Sequence, residues 1–405
     1  MKIVGLPLNK LKRLPVVNNP SGLSLFYFFI SPLLSIILLT LGSSFFTTFV
    51  SITMDSEGSS QFVIGCIHSA FYAGMLIGAL SLEPFIRSLG HIRAYTVFAS
   101  IISLTILSQS FNTAPFFWML MRFIFGFCMT GIYIVIESWL LANATLNTRA
   151  SVLSLYMIVL YATQTISHEL LNFMTLNTLI PFVCAALLCS LSSIPLAMTA
   201  MPAPEIEKPQ TKNLKAIWSA SPYGFIGCIF SGFILSAIFS FVPNFAEYYH
   251  FPVSTLMQMT IAGGCLLQWP IARLSDHFPR HLVLLGVSLI IAFSAMCILV
   301  FYSQKNLVYL FSFILGGCSF SLYTVSIATV CDNLKTTQMV NANAVLLFAY
   351  GLGSVLGPVI ASLFMDWISI RSLYGYITLV TVLLILVGLF GGHGAFKKVI
   401  KNSTE

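Results

Sequence analysis

Apolar residues run through this chain in blocks of about twenty, parted by short polar breaks. A helix rises about 1.5 Å per residue, so a block of that length crosses roughly 30 Å of hydrocarbon. Twelve blocks are expected as helices, at 30–53, 61–85, 93–111, 116–141, 150–171, 178–200, 222–246, 253–274, 281–303, 307–330, 338–364 and 372–391. The alternating apolar and polar segments of a membrane β-barrel are not found in the sequence. Helices are then the remaining way to pair every backbone polar group in lipid. The fold class is therefore all-α, a membrane protein of twelve transmembrane helices. The basic N-terminus followed by an apolar run superficially resembles a signal peptide. That run, Leu23 to about Met54, is too long for one and lacks a small-residue cleavage site, so it reads as the first span.

Composition agrees: the 405 residues are 58% hydrophobic and 8% charged, which a water-soluble domain with a polar skin does not reach. The net charge of +7 is a topology signal. With the N-terminus inside, 16 of the 19 Lys and Arg residues fall on one side, only Lys305 and Arg371 fall on the other, and Arg122 lies within a span. Both termini are thus expected in the cytoplasm, with the chain in the cytoplasmic (inner) membrane. A soluble basic face is missing, which argues against a nucleic-acid partner. The nine cysteines lie in or at the ends of apolar spans, where they read as small buried hydrophobes and imply neither a disulfide framework nor a metal site.

The longest internal polar interval, "MPAPEIEKPQTKNLKAIWSASP", carries Pro202, Pro204 and Pro209 and mixed charge and reads as a linker between six spans and six. The expected organisation is a cytoplasmic segment at 1–22, a six-helix bundle at 23–200, a linker at 201–221, a second bundle at 222–391 and a tail at 392–405. The halves also match each other. An offset of 190 lays "RFIFGFCMTGIYIV" over "SFILGGCSFSLYTV", pairing Gly126 with Gly316, Cys128 with Cys318 and Tyr133 with Tyr323. Nearly equal offsets, of 188 and 189, lay "IRSLGHIR" on "LSDHFPRH" and Tyr161 on Tyr350. Parallel repeats with a site between them at mid-membrane are a common plan of secondary transporters.

Three motifs carry a family resemblance. "ARLSDHFPRH", Ala272 to His281, resembles the signature turn of the major facilitator superfamily, which reads G-x-L-S-D-R-x-G-R-R after the second helix of each half. "RFIFG", from Arg122, is similar to the arginine motif of that family's fourth helix, and "GSVLGP", Gly353 to Pro358, resembles a run known from its proton-coupled antiporters. "IESWLLANATLNTRASVLSLYM" and "LLQWPIARLSDHF" are similar to a widespread bacterial branch. The resemblance implies two pseudo-symmetric six-helix bundles with a central cavity lined by the first, fourth, seventh and tenth helices. There are departures: Arg87 and Glu83 replace aspartate and glycine in the first turn, and Ala272, His277 and Pro279 stand in the second. "GSVLGP" lies in the eleventh span where antiporters have it in the fifth, so it does not mark an exporter.

Within the spans, ionisable groups are functional candidates because lipid makes them costly. Arg122 sits about six residues, roughly 9 Å, inside its span. At 100° per residue it shares a helix face with Gly126, Tyr133 and Glu137. Candidate neighbours at its depth are His68, Gln164, His168 and Glu169, with Glu169 as counter-charge and either histidine as proton carrier. Tyr323 is the repeat partner of Tyr133. Glu137 belongs to the other leaflet as a gate or brace, with Glu83, Arg87, Arg93 and Arg149 near it. Carrying over the family's docking of turns predicts two latches that close the cytoplasmic side, Asp276 with Arg149 and Arg87 with Asp332; the plainer alternative is an intrahelical Glu83–Arg87 pair.

The function expected is secondary active transport of a small-molecule substrate across the lipid bilayer by alternating access, coupled to protons, in uptake or efflux. The chain is expected to act as a monomer without a cofactor. It lacks the G-x-x-x-x-G-K-[ST] loop that would bind ATP. The alternatives are a sensor or channel without coupled transport and an intramembrane enzyme. The second is weak, since its best ligand pair, His277 and His281, straddles Pro279.

Overall fold

The computed structural model describes residues 29–144, 148–175, 178–198, 218, 220–332, 334 and 336–391. The expected N-terminal segment, nearly all of the linker and the C-terminal tail lie outside the described residues, as does the side chain of Arg149. Among the described residues, twelve main helices follow one another in chain order. The first half has α1 (Ile30–Ser56), α2 (Gln61–Leu89), α3 (His91–Gln109), α4 (Pro115–Ala142), α5 (Arg149–Ser167) and α6 (Ile180–Leu191). A 3-10 turn, His168–Phe173, follows α5, and a short helix, Ser193–Ala197, prolongs α6. The second half has α7 (Pro222–Tyr248), α8 (Val253–His277), α9 (Arg280–Val300), α10 (Lys305–Cys331), α11 (Thr336–Trp367) and α12 (Ser372–Gly391). The face where α1 and α7 begin is called the linker face, and the opposite one the distal face.

Local chemistry sets several boundaries. Ser60 caps α2 by accepting from the Val63 N–H, and Ser221 caps α7 through the Gly224 N–H. Pro115 and Pro222 open α4 and α7 at a position where a missing N–H costs nothing. Gly90, at φ +83°, turns the chain from α2 into α3, a conformation that a side chain would strain.

Ten of these helices are long and apolar enough to cross a membrane. The twelve spans of the sequence pattern differ from this at α5 and α8, and the reason is their position. These two pack on each other between the halves, which lets them carry Gln164, Gln258 and Arg273.

Helix association in lipid gains little from apolar burial, because the lipid tails are equally apolar; close backbone approach takes its place. The two halves solve this identically. On α2 and α4, a Cβ on Gly74 would fall on the Phe123 carbonyl oxygen, and one on Gly126 would fall on that of Phe71. On α8 and α10, Gly263 meets the Phe313 carbonyl and Gly316 that of Thr260 in the same way. The glycines of "GSVLGP" serve a third such contact: Gly353 lies on the Ile229 carbonyl of α7, and Gly232 of α7 lies on the Tyr350 carbonyl. In this chain the run seats α11 against α7.

A methyl at Gly126 has only backbone to push against, so Gly126→Ala is expected to cost at least about 1–3 kcal/mol. Gly286, in α9, has open space around it, and Gly286→Ala is expected to be neutral or stabilising by up to about 1 kcal/mol. Thermal unfolding of the two purified variants checks the contrast; equal midpoints would contradict it.

Candidate functional site

A cavity of ≈ 160 Å³ opens at mid-depth between the halves. One wall is a stripe of hydroxyls on α1: Thr40, Ser43, Ser44, Thr47 and Thr48. Their spacing of three and four places them on a single helix face. Opposite stand Tyr72 of α2, Tyr133 of α4, and Gln164 and His168 around the end of α5. Aromatic faces close the rest, with Phe71, Phe125 and, from the second half, Phe239 of α7 and Tyr350 of α11.

The 3-10 turn after α5 fixes His168. Its Nδ1 lies 2.8 Å from the Gln164 carbonyl oxygen and its Nε2 3.0 Å from Thr48 Oγ1. A carbonyl only accepts, so Nδ1 carries a proton, and Thr48 can donate to a neutral Nε2 or accept from a protonated one. His168 thus lines the cavity with both ring nitrogens engaged.

Arg122 is fully buried beside this cavity. Its Nη2 donates to the Phe46 carbonyl oxygen at 3.2 Å, and its guanidinium lies 4.8 Å from the Phe46 ring centre and 5.2 Å from that of Phe125. Nε and Nη1 have no hydrogen-bond partner. The expected counter-charge is corrected here. Glu169 lies on the 3-10 turn and accepts instead from Asn172 at 3.0 Å and from Gln258 of α8 at 2.8 Å. Depth along a span placed the two residues level; the direction in which each side chain leaves its helix separates them.

The other expected residues fall in separate places. Tyr133, Gln164 and His168 line the cavity. His68 is buried outside this lining and bonds Ser51 at 2.7 Å. Tyr323 of α10 packs on Tyr350, ring centres 4.9 Å apart, one layer behind the wall. Glu137 accepts from Tyr156 at 3.4 Å, bracing α4 against α5. The α1 hydroxyl stripe is not among the residues expected from the sequence, although "TLGSSFFTT" carries a signal in its five hydroxyls within nine residues of an apolar span.

Hydrogen bonds join the halves at the distal end. Asp366 of α11 accepts from the backbone N–H groups of Gln61 and Phe62, at 3.0 and 2.9 Å, capping the first turn of α2 from across the interface. Asn244 of α7 donates to Gln61 at 3.2 Å, Ser254 of α8 donates to Asn172 at 2.9 Å, and Ser51 of α1 donates to the Ser240 carbonyl at 2.9 Å. Near the linker face, Arg87 pairs with Glu83 at 2.8 Å, the plainer alternative named above. Asp332 pairs at 2.8 Å with Arg280, which also donates to the Ala328 carbonyl, so this brace stays within the second half. Asp276 is exposed, 4.0 Å from Arg280.

Comparison with known proteins agrees with this architecture. The family model described as Major Facilitator Superfamily matches residues 32–340 and 261–402. An Escherichia fergusonii protein named "Uncharacterized MFS-type transporter YcaD" is 27% identical over 359 residues, covering 87% of this chain and 92% of that protein. An "Uncharacterized MFS-type transporter" of Yersinia pestis is 27% identical over 344 residues, covering 82% and 88%. Among solved structures, the nucleoside transporter NupG superposes with a TM-score of 0.73 at 16% identity, covering 89% of this chain and 98% of that one. A D-xylose-proton symporter gives 0.69 at 12%, covering 90% and 97%. A bacterial homologue of the human lysosomal transporter Spinster, in an inward-facing, unoccupied conformation, gives 0.67 at 14%, covering 92% and 96%.

The distal closure predicts its own weak point. With cysteines replacing Asn172 and Ser254, oxidative crosslinking is expected to be efficient, and adding Asp366→Ala is expected to lower the crosslinked fraction by a factor on the order of ten, as loss of two charge-assisted hydrogen bonds implies. An unchanged fraction would show that Asp366 does not hold the two halves together.

Proposed function

The chain belongs to the Major Facilitator Superfamily, and from that premise we propose that it is a secondary active transporter. It moves a small solute across the cytoplasmic membrane by rocking its two halves about the cavity. The observation that carries this reading is the pairing of a mid-depth polar cavity with inter-half hydrogen bonds gathered at one end. A channel needs a continuous path, whereas a site sealed at one end suits alternating access. The excess of Lys and Arg near the linker face makes that face cytoplasmic, so the distal closure seals the site from the outside.

Closing the linker face requires new contacts there. In this reading Arg87 leaves Glu83 for Asp332, and Asp276 meets Arg149, as the halves rock. A proton couples to the cycle through His168, which touches both the α1 stripe and the α5 backbone. Two of the structurally similar proteins are titled proton symporters, for fucose and for D-xylose.

Two outcomes test the cycle. Spin labels at 172 and 254 on the distal face, and at 87 and 332 on the linker face, are expected to show opposed distance changes; one fixed distance at both faces under every condition would defeat alternating access. In proteoliposomes, His168→Gln is expected to retain solute exchange while losing at least about tenfold of the accumulation driven by a pH gradient. Undiminished accumulation would remove His168 from coupling.

A further inference from the structure

We infer that the solute is neutral and hydroxyl-bearing, a single five- or six-membered ring with an apolar face; this rests on the transport reading above. The first ground is charge. Among the described residues the cavity wall holds no carboxylate, lysine or arginine. Arg122, toward the distal side, is outside the lining and lies against the Phe46 and Phe125 rings. Glu137, one turn beyond Tyr133 toward the linker face, is engaged by Tyr156. With His168 neutral, an ion entering the site would lose its water and meet no charge of opposite sign in the wall itself, which is the costly case of burial.

The second ground is hydrogen-bonding capacity. A hydroxyl both donates and accepts, so the α1 stripe complements a solute whose own groups do both. Two of its members are already committed, Thr47 to the Ser43 carbonyl and Thr48 to His168. Thr40 is not: it is buried, it lines the cavity, and its Oγ1 has no partner. A buried orphan hydroxyl in a binding wall is a position waiting for a ligand atom. Tyr72, Tyr133 and Gln164 face the stripe with the same mixed capacity.

The third ground is shape. Phe71, Phe125, Phe239 and Tyr350 offer flat apolar surfaces, suited to the C–H face of a sugar ring or the face of a base. The cavity, at ≈ 160 Å³, is close to the size of an engineered cavity of about 150 Å³ that holds benzene. One ring with its substituents reaching the walls fits, and a disaccharide does not.

The test uses the full chain, purified and reconstituted, with D-glucose, D-xylose, uridine, lactate and choline as probes, each measured for binding by equilibrium dialysis and for counterflow. Uridine carries two rings, and its binding in place of the sugars would overturn the single-ring size. At least one of the two sugars is expected to bind and exchange, with lactate and choline inert. Thr40→Val, which matches the shape and removes only the orphan hydroxyl, is expected to weaken that binding about tenfold without lowering the thermal midpoint. Binding of lactate or choline with no neutral probe bound, or no neutral binding at all, would overturn the inference, as would an unchanged affinity in Thr40→Val. A neutral probe that binds without counterflow would support the solute class and count against the transport reading.

Discussion

The architecture depends on backbone meeting backbone. In a bilayer, apolar side chains gain little by leaving lipid for protein, so helices stay together where they pack closely enough for dispersion and weak polar contacts to accumulate. Gly74 with Gly126 and Gly263 with Gly316 create that closeness on α2–α4 and α8–α10, and Gly232 with Gly353 does so on α7–α11. None of these positions tolerates a Cβ without moving a neighbouring main chain. Each half is thereby made stiff, and stiffness within halves lets motion concentrate between them.

The interface between the halves is built differently. Its distal bonds come from side chains at helix ends and from the polar faces of α5 and α8, and they are amides, hydroxyls and two carboxylates. Contacts of this kind can be exchanged for water. The cavity lies just below them, roughly 12 Å from the distal end of α1 when counted from Thr48 at about 1.5 Å per residue. Rigid bodies joined by a wettable seam above a polar pocket make a coherent design in which each part needs the others.

Much of this could be read from the residues. Span lengths follow from the bilayer's thickness, and the repeat appears because glycine at 126 and 316 answers the same steric demand; the offset of 189 between Gly74 and Gly263 extends it. What the sequence hid has a physical cause. Hydropathy reports depth along a span and is silent on direction around it, so Glu169 seemed level with Arg122 while facing α8. Asp366 and Gln61 stand 305 positions apart, and no local pattern links an exposed carboxylate to a distant helix start. The hydroxyls of α1 were hidden differently, because serine and threonine can bond their own helix backbone and so pass as neutral in an apolar run.

The Asp366 cap has a consequence for how a resting state is kept. The capped N–H groups belong to the first turn of α2 and are orphaned in any isolated helix. Solvent can take them up once the carboxylate has left, and the charge-assisted part of each bond is then lost. Separation therefore exposes nothing that water cannot satisfy, and its cost at this cap is confined to that charge-assisted part. In the proposed rocking cycle the seam would have to admit its first few water molecules before either half could swing.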